Sequence, residues 1–392
     1  MKLIDLLNKE NYLEESYLGQ LESSNVQGFL HEINNAFILI QKQLGQKAAE
    51  SFVPRFIEFL VNRFAQKDEI LNTDMVHSSL GYLENNNFYQ TILEYLTDKD
   101  YLLRSAIDTE QENKFLTIFQ SHLASIYRRK GNLEIASELL ATCEKRMESD
   151  NNGQVDHLKT LSLIEYELAY IYYLQGKGLE AYDFFGQSAN HAFESNHPVG
   201  EWISKCTQHR VGYLFEIEEI KVYEDVNSQA LFIFEKLSKN NSLAERWVTN
   251  CILNSFRVAF YKGDKTQAEY YYAQMQQNDW PTKYGVAPIS IQSMKARLLI
   301  VQESFEEAIE AYKFLPQNKL ELDAQFQEFQ NSAQFYSHFE GIAEYYLELG
   351  NAFSKLNQKE RAIEAFRLGL EVPDYGNVPF KNKIQKRLLE LN

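Results

Sequence analysis

The chain has 392 residues, a formal net charge of −16 and a hydrophobic content of 44%, enough apolar material for a continuous core. The charge excludes a large nucleic-acid surface, because neutralising phosphates takes clustered Lys and Arg. Aromatics reach 14%, with only seven Pro and 17 Gly, and this balance predicts helix throughout.

The opening run MKLIDLLNKENYLEE is broken by Asp5, unlike a secretory signal. Apolar stretches such as residues 36–40 are too short to span a bilayer. Cys143, Cys206 and Cys251 are odd in number and form no CxxC pair, which fits a reducing compartment. The expected location is the cytoplasm, without membrane attachment.

Residues 1–98 read as an N-terminal helical module or cap. Phe29, Ile33, Phe37, Ile40 and Leu44 trace one helix face. Phe52, Phe56, Phe59, Leu60 and Phe64 trace another, with Pro54 expected in the first turn, where its missing N–H does little harm. Leu80, Leu83, Phe88, Ile92, Tyr95 and Leu96, split by Asn85-Asn86-Asn87, predict a short helical hairpin.

From 99 to 373 a single skeleton recurs. Leu123-Ala124-x-x-Tyr127 leads through Gly131 to Ala136 and Leu140. Leu168-Ala169-x-x-Tyr172, Gly176, Ala181 and Phe185 repeat the arrangement. Weaker copies run through Gly212, Phe215, Ala230 and Phe234, then Phe256, Ala259, Gly263, Ala268 and Tyr272, then Ala296, Leu299, Ala308 and Tyr312. The sharpest copy is Tyr346-x-x-Leu349-Gly350-x-x-Phe353 with Ala362, Phe366 and Pro373. This is the tetratricopeptide pattern, in which small residues sit where two helices cross and aromatics fill the flanks. Its spacing exceeds the standard unit of about 34 residues, so longer helices or loops are expected. One long first helix is expected between Leu320 and Leu356. Residues 374–392 predict a loop and then a C-terminal capping helix. The fold expected is all-α: a tetratricopeptide-like, right-handed helical-repeat superhelix behind an N-terminal helical module.

No P-loop, nucleophile elbow, HExxH or dinucleotide fingerprint occurs, so the chain is not expected to be an enzyme or to carry a cofactor or metal. His191 and His197 lie near a helix end and read as solvated-loop residues rather than zinc ligands. The informative polar pattern is Asn250, Asn254, Arg257 and Tyr261, which share one helix face, with Ile252, Phe256 and Ala259 on the other. Amides and a guanidinium in that array can hold an extended peptide backbone and a carboxylate. Neighbouring first helices add Arg210 and Tyr213, Ser293 and Arg297, Ser121, Ser125 and Arg128, and a stripe of Tyr166, Tyr170 and Tyr173. Glu344, Glu348 and Asn351 would supply acidic contacts at one end. Acidic residues recur on second helices (Glu134, Glu138, Glu180, Asp183, Glu306, Glu310, Glu360, Glu364), which favours an acidic outside around a more basic inner face. Arg210, Asn250, Asn254, Arg257 and Arg297 are the predicted peptide-binding residues.

With these repeats, and with His77-Ser78-Ser79-Leu80-Gly81-Tyr82-Leu83-Glu84-Asn85-Asn86-Asn87-Phe88-Tyr89 and Asn25-x-x-Gly28-Phe29-Leu30-His31 before them, the chain resembles the tetratricopeptide peptide-sensing regulators of Gram-positive bacteria and their phages. That group holds Rap, NprR, PlcR and the AimR phage receptors, of which AimR is most similar. The resemblance implies a regulator that binds a short linear signalling peptide in its groove and switches a downstream interaction, with a homodimer as one arrangement. The first 50 residues depart from the group's helix-turn-helix, with four Lys, no Arg and seven acidic residues. A protein partner and DNA both remain open as the downstream target. A constitutive protein–protein scaffold is the alternative reading.

Overall fold

A computed structural model of the chain describes residues 37, 40, 45–65, 80, 110–149, 155–239, 242–277, 288–330, 332 and 335–391. Regular structure among the described residues is helical, and no strand occurs among them. The chain divides into two compact units, Met1–Arg128 with Leu133–Asn152, and Arg129–Asn132 with Gly153–Asn392. The hairpin expected between residues 80 and 96, and both segments quoted for the resemblance, lie outside the described residues apart from Leu80.

In the first unit, α1 (Gln46–Ala65) carries Pro54 in its interior, not in its first turn as expected. The helix starts earlier, directly after Gly45, whose φ of +86° halts any continuation upstream. Phe37, Phe52 and Phe56 are buried, and Phe37 meets the other two edge to face, with ring centres 5.4 and 5.8 Å away. α2 (Glu110–Arg129) and α3 (Leu133–Ser149) form a hairpin around buried Ala124, Ala136, Leu140 and Cys143.

The second unit stacks further hairpins. α4 (Val155–Leu174) pairs with α5 (Gly178–Glu194), α6 (Pro198–Leu214) with α7 (Ile220–Leu237), and α8 (Ser242–Lys262) with α9 (Lys265–Gln277). α10 (Pro288–Val301) then pairs with α11 (Phe305–Ala311). After α12 (Lys319–Phe329) and the short α13 (Phe335–Phe339), α14 (Ile342–Lys355) pairs with α15 (Lys359–Glu371), and α16 (Val378–Leu391) covers the end. Each first helix also touches the next first helix: α4 meets α6, α6 meets α8, α8 meets α10, and α10 meets α14. The result is a continuous inner layer with the second helices behind it, an all-α helical-repeat array in which neighbouring hairpins bury one another's apolar faces.

The sequence skeleton explains both the crossings and the turns. Ala136, Ala181, Ala230, Ala268, Ala308 and Ala362 are all fully buried, since only a methyl group fits where a second helix crosses its partner. At Gly350 even a methyl is too large: a Cβ there would lie 2.2 Å from the Phe366 ring. Five residues before five of those alanines, the chain takes a left-handed conformation, at Gly131, Gly176, Gly263, Glu303 and Asn357. That residue lets the next N–H fold back on the helix just ended. Lys177 N donates to Tyr172 O at 2.9 Å, Asp264 N to Ala259 O at 2.9 Å, Ser304 N to Leu299 O at 2.9 Å and Gln358 N to Phe353 O at 2.9 Å, which satisfies carbonyls the helix end leaves open.

The single long helix expected between Leu320 and Leu356 is not formed. Three helices, α12, α13 and α14, occupy that stretch. Gly341 adopts φ +71° ahead of α14, and Asn377 stitches the break. Its Oδ1 accepts from Ala343 N at 2.8 Å, while its Nδ2 donates to Phe339 O at 2.8 Å and Pro373 O at 2.9 Å. α13 is held by its rings: Phe335 and Phe339 pack on Phe326, and Phe335 meets Tyr375.

Candidate functional site

The inner layer carries polar side chains at equivalent places. Tyr170 follows Ala169, Tyr213 follows Gly212, Arg297 follows Ala296 and Asn351 follows Gly350, one residue beyond the small residue of each crossing. On α8 the expected division of faces is present. Ile252, Phe256 and Ala259 are buried in a cluster with Ala268 and Met275 of α9, leaving Asn250, Asn254, Arg257 and Tyr261 on the opposite side.

These side chains meet across helices. On α4, the Tyr170 hydroxyl donates to Glu340 at 2.8 Å and lies 2.9 Å from the Tyr336 hydroxyl. The Arg210 guanidinium of α6 stands 5.9 Å from the centre of the Tyr173 ring. Tyr213, also on α6, packs 5.1 Å from the ring of Tyr261 on α8, whose hydroxyl donates to Glu344 of α14. Arg297 of α10 grips Glu348 with its Nε at 3.0 and 3.1 Å, and pairs with Glu344 through Nη2 at 2.6 Å. Tyr312 donates to Glu348 as well. The contacts thus link α4, α6, α8, α10 and α14, and the backbone from Glu344 back to Glu340 closes them onto Tyr170: a ring joined by side chains everywhere but along that stretch. Beside it the C-terminal loop docks on the start of this unit's array, Gly376 N donating to Leu174 O at 3.0 Å.

Burial and charge set the protonation states around the ring. Burial drives Tyr261 and Tyr312 well above the ordinary phenol range, and the carboxylates that accept their protons add to it. Glu348 is pushed up to about 7, by burial first and by the Glu344 charge, against the pull of Arg297. Burial also acts on Glu344, but Arg297, Tyr261 and Arg257 together hold it below the usual carboxylate range. At neutral pH Arg297 therefore faces one full and one fractional negative charge.

Of the predicted peptide-binding residues, Arg257 and Asn254 are joined, Nη1 donating to Oδ1 at 3.2 Å. Asn250 lies one turn away on the same face and makes no hydrogen bond among the described residues. Arg210 has neither a hydrogen bond nor an ion pair among the described residues, only the Tyr173 ring and the longer-range field of its neighbours. Arg297 is 1% exposed and ion-paired with both Glu344 and Glu348, so the acidic contacts expected for a ligand are here made to the chain itself. Ser121, Ser125 and Arg128 are buried in the first unit, with Arg128 Nη2 3.4 Å from Ser125 Oγ. His191 is bonded to Glu165 at 2.7 Å. The acidic residues named on second helices are all exposed. Tyr312, Tyr336 and Glu340 belong to the ring, though none of them is among the candidate site residues read from the sequence. Tyr312 was legible only as a repeat aromatic, and Tyr336 and Glu340 lie in an insertion that the repeat pattern does not describe.

No protein family matches the chain, and no curated protein matches it. Among solved structures, a circular tandem repeat protein with novel repeat topology and enhanced subunit contact surfaces is similar over 99% of this chain and 93% of its own, at 12% identity and a TM-score of 0.22. A TM-score that low carries no argument about fold or function. No helix among the described residues is long and apolar enough to cross a membrane.

Proposed function

We propose that the chain binds a short, extended peptide along the inner layer of its second unit, and that binding switches an interaction with a further protein. Stacked helical hairpins use such surfaces for recognition. The observation that carries the reading is a difference in commitment. Arg297, Glu344, Glu348, Tyr261 and Tyr312 are committed to one another, whereas Arg210, Asn250, Asn254 and Arg257 keep most of their donors and acceptors free among the described residues. Amides spaced one turn apart can pair with a peptide backbone. Arg297 supports the site as the keystone of the adjoining ion network.

A switch needs two states that the ligand distinguishes. The closure made by Tyr170, Tyr336, Glu340 and Gly376 is the element whose opening a peptide would favour or oppose. This is the behaviour implied by the resemblance to peptide-sensing tetratricopeptide regulators. Calorimetry with short linear peptides on the wild type, Asn254→Ala and Arg257→Ala tests it. A peptide that binds the wild type and loses about tenfold or more on each variant is expected. Equal binding to all three places the peptide elsewhere, and binding without any change in small-angle scattering or oligomeric state leaves a constitutive scaffold.

A further inference from the structure

Tyr213 of α6 packs on both Tyr223 of α7 and Tyr261 of α8, which brings together the helices that carry Arg210, Tyr223 and Arg257. Tyr223 of α7 is 1% exposed, and its hydroxyl has no hydrogen-bond partner among the described residues. Its ring lies nearly parallel to Tyr213, with centres 6.4 Å apart. Two cations act on its oxygen, Arg210 and then Arg257. Arg210 makes no hydrogen bond among the described residues, and Arg257 makes one, to Asn254. A buried hydroxyl without a partner is destabilising, while the two arginines are half-buried and keep N–H donors uncommitted. An acceptor that binds there satisfies the hydroxyl and takes up the spare guanidinium donors.

The local charge balance says what kind of acceptor fits. Burial works against the charge on Arg210, and the oxygens of Tyr173 and Tyr170, with the Glu340 carboxylate, hold it. Those two phenols are themselves pushed up by burial and stay neutral near pH 7, so Glu340 supplies the formal negative charge. Glu344 acts on Arg257 but is already paired with Arg297. On the far side, Lys383 of α16 stands 5.5 Å from the centre of the Tyr213 ring. Glu216 also acts on Tyr213 and lies 3.7 Å from Lys386. Arg210, Arg257 and Lys383 thus outnumber Glu340, the uncommitted carboxylate beside them, and a further anionic group fits the balance.

We infer that Arg210, Arg257 and the Tyr223 hydroxyl form a subsite for a carboxylate of the bound peptide, either its C-terminal group or an Asp or Glu side chain. The inference rests on the peptide-binding reading above and adds the chemical group that the ligand must present. Each arginine offers its N–H fork to a carboxylate oxygen, and the Tyr223 hydroxyl donates to one of them.

Four pools of short random-sequence peptides test it, with the C-terminus free or amidated and with Asp and Glu present or omitted. Binding is followed by fluorescence polarisation on the wild type, Arg210→Gln, Arg257→Gln, Arg210→Lys and Tyr223→Phe, each checked for helicity by circular dichroism. Pools with a carboxylate are expected to bind the wild type at least about tenfold tighter than the amidated pool without Asp and Glu. Both glutamine variants should lose that preference, with Arg210→Lys keeping part of it and Tyr223→Phe weakening it a few-fold. Which of the two mixed pools retains binding assigns the C-terminal or the side-chain carboxylate. Equal binding of all four pools to the wild type overturns the subsite and leaves the peptide reading standing. If no pool binds, inorganic sulfate separates the two ideas: a sulfate-dependent rise in melting temperature that is absent in Arg210→Gln keeps the anion subsite without the peptide, and no such rise removes both.

Discussion

Glu348 offers the sharpest test of the ring, because its protonation couples stability to pH in a direction opposite to most carboxylates. Its folded pKa lies at about 7, against an ordinary 4.5. A carboxyl raised in this way stabilises the fold fully below 4.5 and loses that contribution as pH climbs through 7. At about 1.4 kcal/mol per pKa unit, the loss amounts to roughly 3 kcal/mol. Glu344, which is held low, acts with the opposite sign, but its window lies below 4.5, outside the range of interest. In Glu348→Gln the group stays neutral at every pH and keeps nearly the same shape, so this slope disappears. Urea unfolding at several values between about pH 5 and pH 8, followed by tryptophan fluorescence, measures the difference between the two proteins. Trp202, Trp247 and Trp280 all fall within residues 153–392, so the signal reports on the unit that contains the ring. The variant is expected to gain on the wild type by roughly 3 kcal/mol across that range. Parallel profiles, or a variant that falls behind as pH rises, would show that Arg297 holds Glu348 ionised and that the assignment of protonation is wrong.

Three further outcomes follow from the hairpins. Exposed Glu303 sits at φ +62° and Gly263 at φ +68° with open space around its Cβ position, so Glu303→Gly should stabilise by about 0.5 kcal/mol or more while Gly263→Ala should destabilise by about 1 kcal/mol. Melting temperatures moving in opposite directions check this pair. Gly350→Ala drives a methyl into the Phe366 ring and is expected to cost about 2 kcal/mol, read from the urea midpoint. The thiols should resist alkylation in the native state. Burial pushes Cys143 up to about 12, and Cys206 is raised by its hydrogen bond to Cys251 and by burial. Iodoacetamide labelling at about pH 8 should therefore track global unfolding, and rapid labelling of native protein by mass spectrometry would contradict the burial described here.

The hairpins were legible because their determinants are local and repeat. A buried alanine preceded by a left-handed turn five residues earlier needs no knowledge of distant chain, and Ala136, Ala181, Ala268, Ala308 and Ala362 each carry that signature. The closure of the second unit was not legible, because its contacts join residues far apart and occur once. Tyr170 with Glu340, Leu174 with Gly376 and Tyr261 with Glu344 follow no period. The break before α14 was missed for a similar reason: a lone glycine such as Gly341 does not by itself mark a break, and the Asn377 side chain that bridges it comes from beyond the repeat. Arg297 shows the limit of reading a polar stripe. Periodicity placed it on the inner face, but whether its guanidinium faces a ligand or Glu348 depends on how sharply the layer curves, which spacing does not encode.

An open repeat array gains stability additively from neighbour to neighbour, and a ligand on one helix has little effect a few repeats away. Closure changes that arithmetic in the second unit. Glu340, which acts on Arg210, also accepts from Tyr170, and Glu344, which acts on Arg257, joins Tyr261 to Arg297. A carboxylate bound by the two arginines would weaken their hold on these glutamates and shift the balance between the ring and its seam. The coupling can be no larger than the difference in affinity between the closed and opened forms. It therefore predicts that substitutions at the seam, such as Tyr170→Phe, alter peptide affinity without touching the peptide, and an affinity unchanged in that variant would confine the ligand's influence to the helices it contacts.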